Sequence, residues 1–439
     1  MPLLGAPPDA PRLRSLFECL GSVPEYRHAR GKRYSLRSVL VLAVAARLAG
    51  YRGVTAFAQF AGLLSQEQRR AVECFYSPTR QCYTAPSITT FHNILATLPP
   101  DTLEEAIAKW VSQESAQVPQ NEADTDLSKA TGEARKADRK PARKASRKAG
   151  RAARKAARKS RRRRRGKRGL RGVSMDGKDV RGASQQTANG RRMLVAAVEQ
   201  GQGKVLGQLE VDSKTNEIPA VRELALRLDL VGCVVTFDAL HAQHETARCL
   251  REDCRAHYVI TAIKDNQPTM REDLLGMDFD DCPMVETLGK EHGRIERRRY
   301  WVKDISAPEW DGYASLYGRR QAIRIERERH AVKTGKTSKE VSYALTSLGA
   351  EEASPEQLAE LIRNHWHIEN RVHYVRDFTY DEDRCRVYVR DLPRNLACLT
   401  NTAISIIRCQ PQFRYVPQTN RHFAKRTGEA LALLLDPPG

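Results

Sequence analysis

Closely paired cysteines are absent from this chain. Ten cysteines are scattered over 439 residues with no CxxC, and the nearest two are Cys249 and Cys254. That scatter excludes a disulfide-stapled scaffold and a zinc ribbon, and predicts reduced, buried thiols. Long apolar runs are also missing. The longest, Val39 to Ala46, falls far short of the roughly 20 residues that cross a bilayer. The first residues have no signal-peptide layout. The expectation is a cytoplasmic protein with no membrane partner. Net charge is nearly absent too, except in one place. Residues 129–171 carry 22 Lys and Arg against Glu133 and Asp138 alone, which leaves about +1 of the formal +21 for everything else.

That basic tract is of low complexity. Arg-Lys pairs recur at 135/136, 139/140, 143/144 and 147/148, then at 154/155 and 158/159, and the run ends in Arg161, Arg162, Arg163, Arg164 and Arg165. Like charges spaced i and i+4 oppose a free helix, so the tract is expected to be disordered alone and to bind a polyanion. A nucleic-acid partner follows, and with it a nucleoid-associated location.

A chain of this length has room for two or three domains. Residues 1–118 read as an N-terminal helical domain, with Ser35, Ser65 and Ser87 as helix caps and Asp101 with Glu104 opening a fourth helix. Residues 119–171 are the linker. Residues 172–282 read as the first part of an α/β core. Its strands are Val173–Asp176, Met193–Glu199, Lys204–Val211, Cys233–Asp238 and Tyr258–Ile263; its helices are Asn216–Leu228 and His244–Asp253. The order βββαβαβ predicts a mixed sheet with flanking helices. Residues 283–350 read as a β-rich insertion. Residues 351–439 resume the core and end in helices, beginning at the cap Ser354-Pro355-Glu356-Gln357.

Two β-branched runs stop at carboxylates, Asp176 and Asp238, and Glu369 lies on the later helix. At 3.6 residues per turn, positions 362, 365, 369 and 376 share one side of that helix, which groups His365, Glu369 and Arg376. Carboxylates drawn from distant segments repel unless a cation holds them. Asp176, Asp238 and Glu369 therefore form a candidate site for two Mg²⁺ ions, with Mn²⁺ as a substitute, suited to phosphoryl transfer. Asp381, Glu382 and Asp383 are rivals for the third ligand. Lys178, Arg181, Arg294 and Arg376 are candidates for phosphate contacts, with surface ion pairing the alternative. Asn266 and Gln267 are candidates for base or sugar contacts, with a turn before Pro268 the alternative. Trp366 reads as core more than as a stacking platform.

Taken together, the motifs resemble those of the H-repeat-associated insertion-sequence transposases. They are Val173-Ser174-Met175-Asp176-Gly177-Lys178 with Arg181-Gly182, Asp212 through Pro219, Thr236-Phe237-Asp238-Ala239, Lys264-Asp265-Asn266-Gln267-Pro268, His292-Gly293-Arg294-Ile295-Glu296, and His365-Trp366-His367-Ile368-Glu369-Asn370 with Arg376-Asp377 and Glu382-Asp383. They stand in family order and, with Pro86 to Trp110, cover nearly the whole chain outside the basic tract. The resemblance implies a ribonuclease-H-like core with a DDE triad of Asp176, Asp238 and Glu369. It also implies DNA cleavage at transposon ends, then attack of the freed 3′-hydroxyl on target DNA, with a homodimer in the DNA complex. The chain departs from the pattern in three places. Related transposases carry Tyr, Arg, Glu and Lys where it has Ile362, His365, Glu369 and Arg376, they tend to have arginine where Leu399-Thr400-Asn401 has threonine, and the basic tract is not a recognised feature of the family. A catalytically silent descendant that binds or compacts DNA is the alternative function.

Overall fold

The computed structural model describes residues 14–29, 32–115, 169–184, 192–211, 216–291 and 293–436. The chain divides into two units, Met1–Ala116 with Arg171–Gly439, and Gln117–Leu170. The expected disorder of the linker and the DNA contacts of Arg161 to Arg165 lie outside the described residues, as do Asp212 to Thr215 and His292.

The first unit opens with α1 (Leu16–Leu20), α2 (Leu36–Leu48), α3 (Val54–Leu63) and α4 (Gln66–Ala71). A two-strand ribbon, β1 (Tyr76–Ser77) with β2 (Cys82–Tyr83), precedes α5 (Ile88–Thr97) and α6 (Pro100–Ser115). Ser35, Ser65 and Ser87 cap their helices through the side-chain oxygen, and Ser65 with Gln68 completes a capping box.

Next come β3 (Gly172–Asp179), α7 (Arg181–Ser184), β4 (Met193–Glu199), β5 (Val205–Glu210), α8 (Glu217–Arg227), β6 (Val234–Phe237), α9 (His244–Arg248), β7 (His257–Ile263) and α10 (Pro268–Leu275). The later strands are β8 (Met284–Glu291), β9 (Arg294–Asp304), β10 (Gln321–Ala331) and β11 (Thr337–Thr346). The last helices are α11 (Pro355–Asn364), α12 (Leu392–Cys409), α13 (Val416–Lys425) and α14 (Thr427–Leu435).

Nine strands form one mixed sheet in the order β5-β4-β3-β6-β7-β11-β10-β9-β8. β3, β6 and β7 run parallel at its centre, and every other neighbouring pair is antiparallel. The first five strands, with α8 and α11 beside them, make the ribonuclease-H-like core. The β-rich segment is continuous with it, because β11 pairs directly with β7.

The N-terminal helices share one compact unit with the rest of the described core. Every residue of α2 except Arg37 is buried. A helix apolar on all sides needs cover on all sides. That cover comes partly from the far end of the chain, where Ile404, Val416 and Phe423 join the same core. Polar ties reinforce the join. Asn395 Nδ2 donates to the carbonyls of Leu95 at 2.8 Å and Leu98 at 2.9 Å, and Arg394 pairs with Asp101 and Glu104, each at 2.6 Å. None of the ten cysteines is in a disulfide; six are buried and four half-buried. No helix among the described residues is long and apolar enough to cross a membrane.

The helix carrying Glu369 is less regular than its sequence period implies. α11 is α-helical to Asn364, and the chain then continues through two wide π turns, Glu369–His373 and Val375–Thr379. Each π turn changes the phase, so the expected stripe of 362, 365, 369 and 376 does not hold.

Candidate active site

Asp176 and Asp238 are brought level by strand register. β3 and β6 pair in parallel with Ser174 opposite Thr236, and both aspartates lie two residues further on. Beneath them is a buried polar network. Gln200 Nε2 donates to Ser174 Oγ at 3.1 Å, to Thr236 Oγ1 at 2.9 Å and to the Leu361 carbonyl at 3.2 Å. His365 Nδ1 lies 3.0 Å from Thr236 Oγ1. These four side chains lock β3, β6 and α11 together. Such satisfied networks hold one arrangement of their elements.

Asp238 caps a short turn, Ala239–His241, and accepts from the Leu240 N–H at 3.1 Å. Asp176 accepts from the Gly177 N–H at 2.9 Å. Glu369 begins the first π turn. Between it and Asp176 stands His373, whose Nδ1 is 3.1 Å from Glu369 Oε2 and 3.6 Å from Asp176 Oδ2. Ligand atoms of Asp176, Glu369 and His373 all lie within 4.8 Å of one another.

The electrostatics follow from this crowding. Burial pushes Asp176 up from 3.8 to about 7, and the charges of Glu217, Asp238 and Glu369 add to the shift. Burial also raises Asp238, with Glu217 adding to it and the His241 ring opposing. Glu369 is lowered, chiefly by its hydrogen bond with His373. His365 is lowered to about 4 by burial, with His241 contributing. Lys178, two residues along from Asp176, is engaged with Asp377 at 2.6 Å. A set of crowded carboxylates with a histidine within ligand range fits a divalent cation that takes oxygen and nitrogen donors.

The chain matches the transposase DDE domain over residues 167–406, more than half its length, and a DDE_Tnp_1-associated region over residues 17–111. This chain belongs to the transposase DDE domain family. Among its curated relatives, "Putative protein YbfL" of Escherichia coli (strain K12) is 27% identical over 260 residues, covering 55% of this chain and 65% of that protein. The "H repeat-associated putative transposase YhhI" of the same strain is 26% identical over 260 residues, with the same coverage of both chains. The "Putative transposase YncI" of Escherichia coli O157:H7 is 26% identical over 243 residues, covering 54% of this chain and 61% of that protein. The chain thus spans somewhat under two thirds of these relatives.

Within this DDE-family chain, the other expected site residues fare differently. The rivals for the third acid are engaged elsewhere: Glu382 with Arg376 at 2.8 Å, Asp381 with Arg52 at 3.2 Å, and Asp383 with Arg181 at 3.6 Å. Arg376 is 0% exposed, so it faces Glu382 and not an open surface. Lys178 and His365 are buried as well, which removes them from the DNA-facing group expected of them. Asn266 Oδ1 accepts from the Lys264 N–H, and Gln267 Nε2 donates to the Ala239 carbonyl. Asn266 thus closes the turn before Pro268, and Gln267 ties that turn to the residue after Asp238. Arg181 is exposed.

Trp366, expected in the core, is 59% exposed. It lines a cleft of about 470 Å³ with Arg294, Arg298, Arg327, Arg363, His367 and Asn370. The cleft adjoins Glu369 through Asn370 and has four arginines against Glu296. Sequence reasoning missed Glu217, His241, His373 and Gln200 as part of this site. His373 had a signal, at i+4 from Glu369, and Glu217 opens a helix within a family motif. Gln200 had none.

Proposed function

We propose that the chain is a DNA transposase that cleaves at transposon ends and joins the freed 3′-hydroxyl to target DNA. Asp176, Asp238 and Glu369 are its catalytic triad and hold two Mg²⁺ ions, with Mn²⁺ as the substitute. The observation that carries this reading is the meeting of Asp176 with Glu369 and His373, atoms within 4.8 Å, beside a strand end that brings Asp238 level. Divalent cations held there activate the attacking oxygen and stabilise the leaving one.

The chain's own groups do the rest. Asp176, which feels the charges of Glu217, Asp238 and Glu369, would hold a cation together with the other triad acids. His373 fixes the orientation of the Glu369 carboxylate. The Gln200 network keeps the two strand ends and α11 in register. Arg294, Arg298, Arg327 and Arg363 receive the phosphodiester backbone in the cleft, and Trp366 offers a face for an unstacked base. Arg181 and the tract Arg161 to Arg165 add sequence-independent affinity on the nucleoid in the cytoplasm. Two transposon ends per reaction call for a homodimer in the DNA complex.

The test is strand cleavage of end-bearing DNA by Asp176→Asn, Asp238→Asn and Glu369→Gln in Mg²⁺ and in Mn²⁺. Each variant is expected to lose cleavage and keep DNA affinity. Wild-type cutting by any of them removes that residue from the triad. Tight binding with no cutting by the unaltered chain in either metal points instead to a DNA-compacting descendant.

A further inference from the structure

Glu217, within the segment Asp212 through Pro219, reaches the same acids. It is the first residue of α8, after the cap Asn216. A first-turn acid is stabilised by the helix N-terminus whichever way it points. This one is turned onto β3. A Cβ built on Gly177 would overlap Glu217 Oε2, so the residue after Asp176 has no side chain where the Glu217 carboxylate lies.

A second, independent observation is His241. Its side chain is 1% exposed, and neither ring nitrogen has a hydrogen-bond partner among the described residues. Leaving a buried polar group unmade costs on the order of 1–3 kcal/mol. The ring is nevertheless aimed between two acids, with Nε2 3.6 Å from Glu217 Oε1 and 4.0 Å from Asp238 Oδ1. The arrangement repeats that of His373, which stands between Asp176 and Glu369 at 3.6 and 3.1 Å.

The geometry points to a centre of four carboxylates in two halves, in which Glu217 is a ligand of the second cation with Asp238 and Asp176, and His241 orients that pair. This rests on the reading of the centre as a divalent-cation site. Asp176 is common to both halves. Gly177 is required as glycine because any side chain there displaces the fourth ligand. His241 acts through the two acids and is a positioning residue.

The experiment counts Mn²⁺ bound to the full chain without DNA, by electron paramagnetic resonance or calorimetry, with melting temperature as the check on folding. The unaltered chain is expected to bind two Mn²⁺. Glu217→Gln is expected to weaken one of them about tenfold or more, on the scale of lost metal-site groups, and to leave the other unchanged. Gly177→Ala is expected to do the same without removing a charge, and it decides the matter if Glu217→Gln does not melt as the unaltered chain does. Glu223→Gln, on the same helix but paired with Arg227, is expected to change nothing. Unchanged Mn²⁺ binding in folded Glu217→Gln and Gly177→Ala overturns the assignment of Glu217 alone. Failure of the unaltered chain to bind Mn²⁺ overturns the cation-site reading beneath it.

Discussion

Asp176→Asn should stabilise the metal-free protein. The carboxyl is raised from 3.8 to about 7 by burial and by three acidic neighbours. Between those two values the unfolded chain releases the proton and the folded chain keeps it, so folded stability falls as pH rises through the window. Above about pH 7 the whole cost is present; below about pH 4 none of it is. The interval is equivalent to roughly 4 kcal/mol, and halving it for partial solvent access leaves about 2 kcal/mol.

Asparagine keeps an oxygen for the Gly177 N–H and carries no charge. In EDTA at about pH 8 the variant should therefore melt roughly 2–4 °C above the unaltered chain, and the gain should vanish near pH 4. Saturating Mg²⁺ should reverse the order. A ligand at about 100 times its Kd stabilises the unaltered chain by about 2.7 kcal/mol, and the variant loses that gain with its ligand. Thermal melts of both proteins at the two pH values, with and without Mg²⁺, complete the assay. A variant no more stable than the unaltered chain in EDTA at about pH 8, or a gain that persists near pH 4, would refute the reasoning.

Other expectations follow from contacts away from the acids. Removing the Arg376 guanidinium leaves Glu382 buried and unpaired, so Arg376→Met should cost about 3–5 kcal/mol; Arg376→Met with Glu382→Leu should recover much of it in a denaturant double-mutant cycle. A Cβ on Gly182 meets the backbone carbonyls of Cys385 and Glu382, so Gly182→Ala should lower stability by about 1–3 kcal/mol in chemical denaturation. Trp366→Ala should weaken binding of single-stranded DNA by about 1–3 kcal/mol in a fluorescence titration while leaving the melting temperature in place, because the ring is largely exposed. Deleting residues 129–171 should flatten the salt dependence of DNA affinity and spare site preference; an unchanged slope counts against the tract as a DNA contact.

Local elements were legible because their signals are contiguous. The serines at 35, 65, 87 and 354 cap helices where the pattern puts caps, and β4 spans Met193–Glu199, the bounds of its continuous apolar run. The end of β6 just before Asp238 was legible for the same reason, whereas β3 runs on past Asp176 to Asp179, because β4 continues to pair with it. The adjacency of the two aspartates needed the parallel register of β3 and β6, which rests on hydrogen bonds between segments some 60 residues apart. The phase of the Glu369 helix was misjudged because π turns carry no mark in an apolar period of 3.6. The N-terminal helices looked separable because a helix buried on all sides does not name its partners.

Order and spacing named Asp176, Asp238 and Glu369 as candidates, and composition placed the positive charge in one tract. Which side chains surround those acids was settled only by packing. Glu217 lies beside Gly177 because α8 starts against β3, the turn after β6 aims His241 between Glu217 and Asp238, and His373 stands between Asp176 and Glu369 within the first π turn. Arg376, Lys178 and His365 are themselves buried, each against a partner: Glu382, Asp377 and Thr236. Burial and pairing belong to contacts between distant parts of the chain, so residue type and local period name the candidates and the folded surface selects among them.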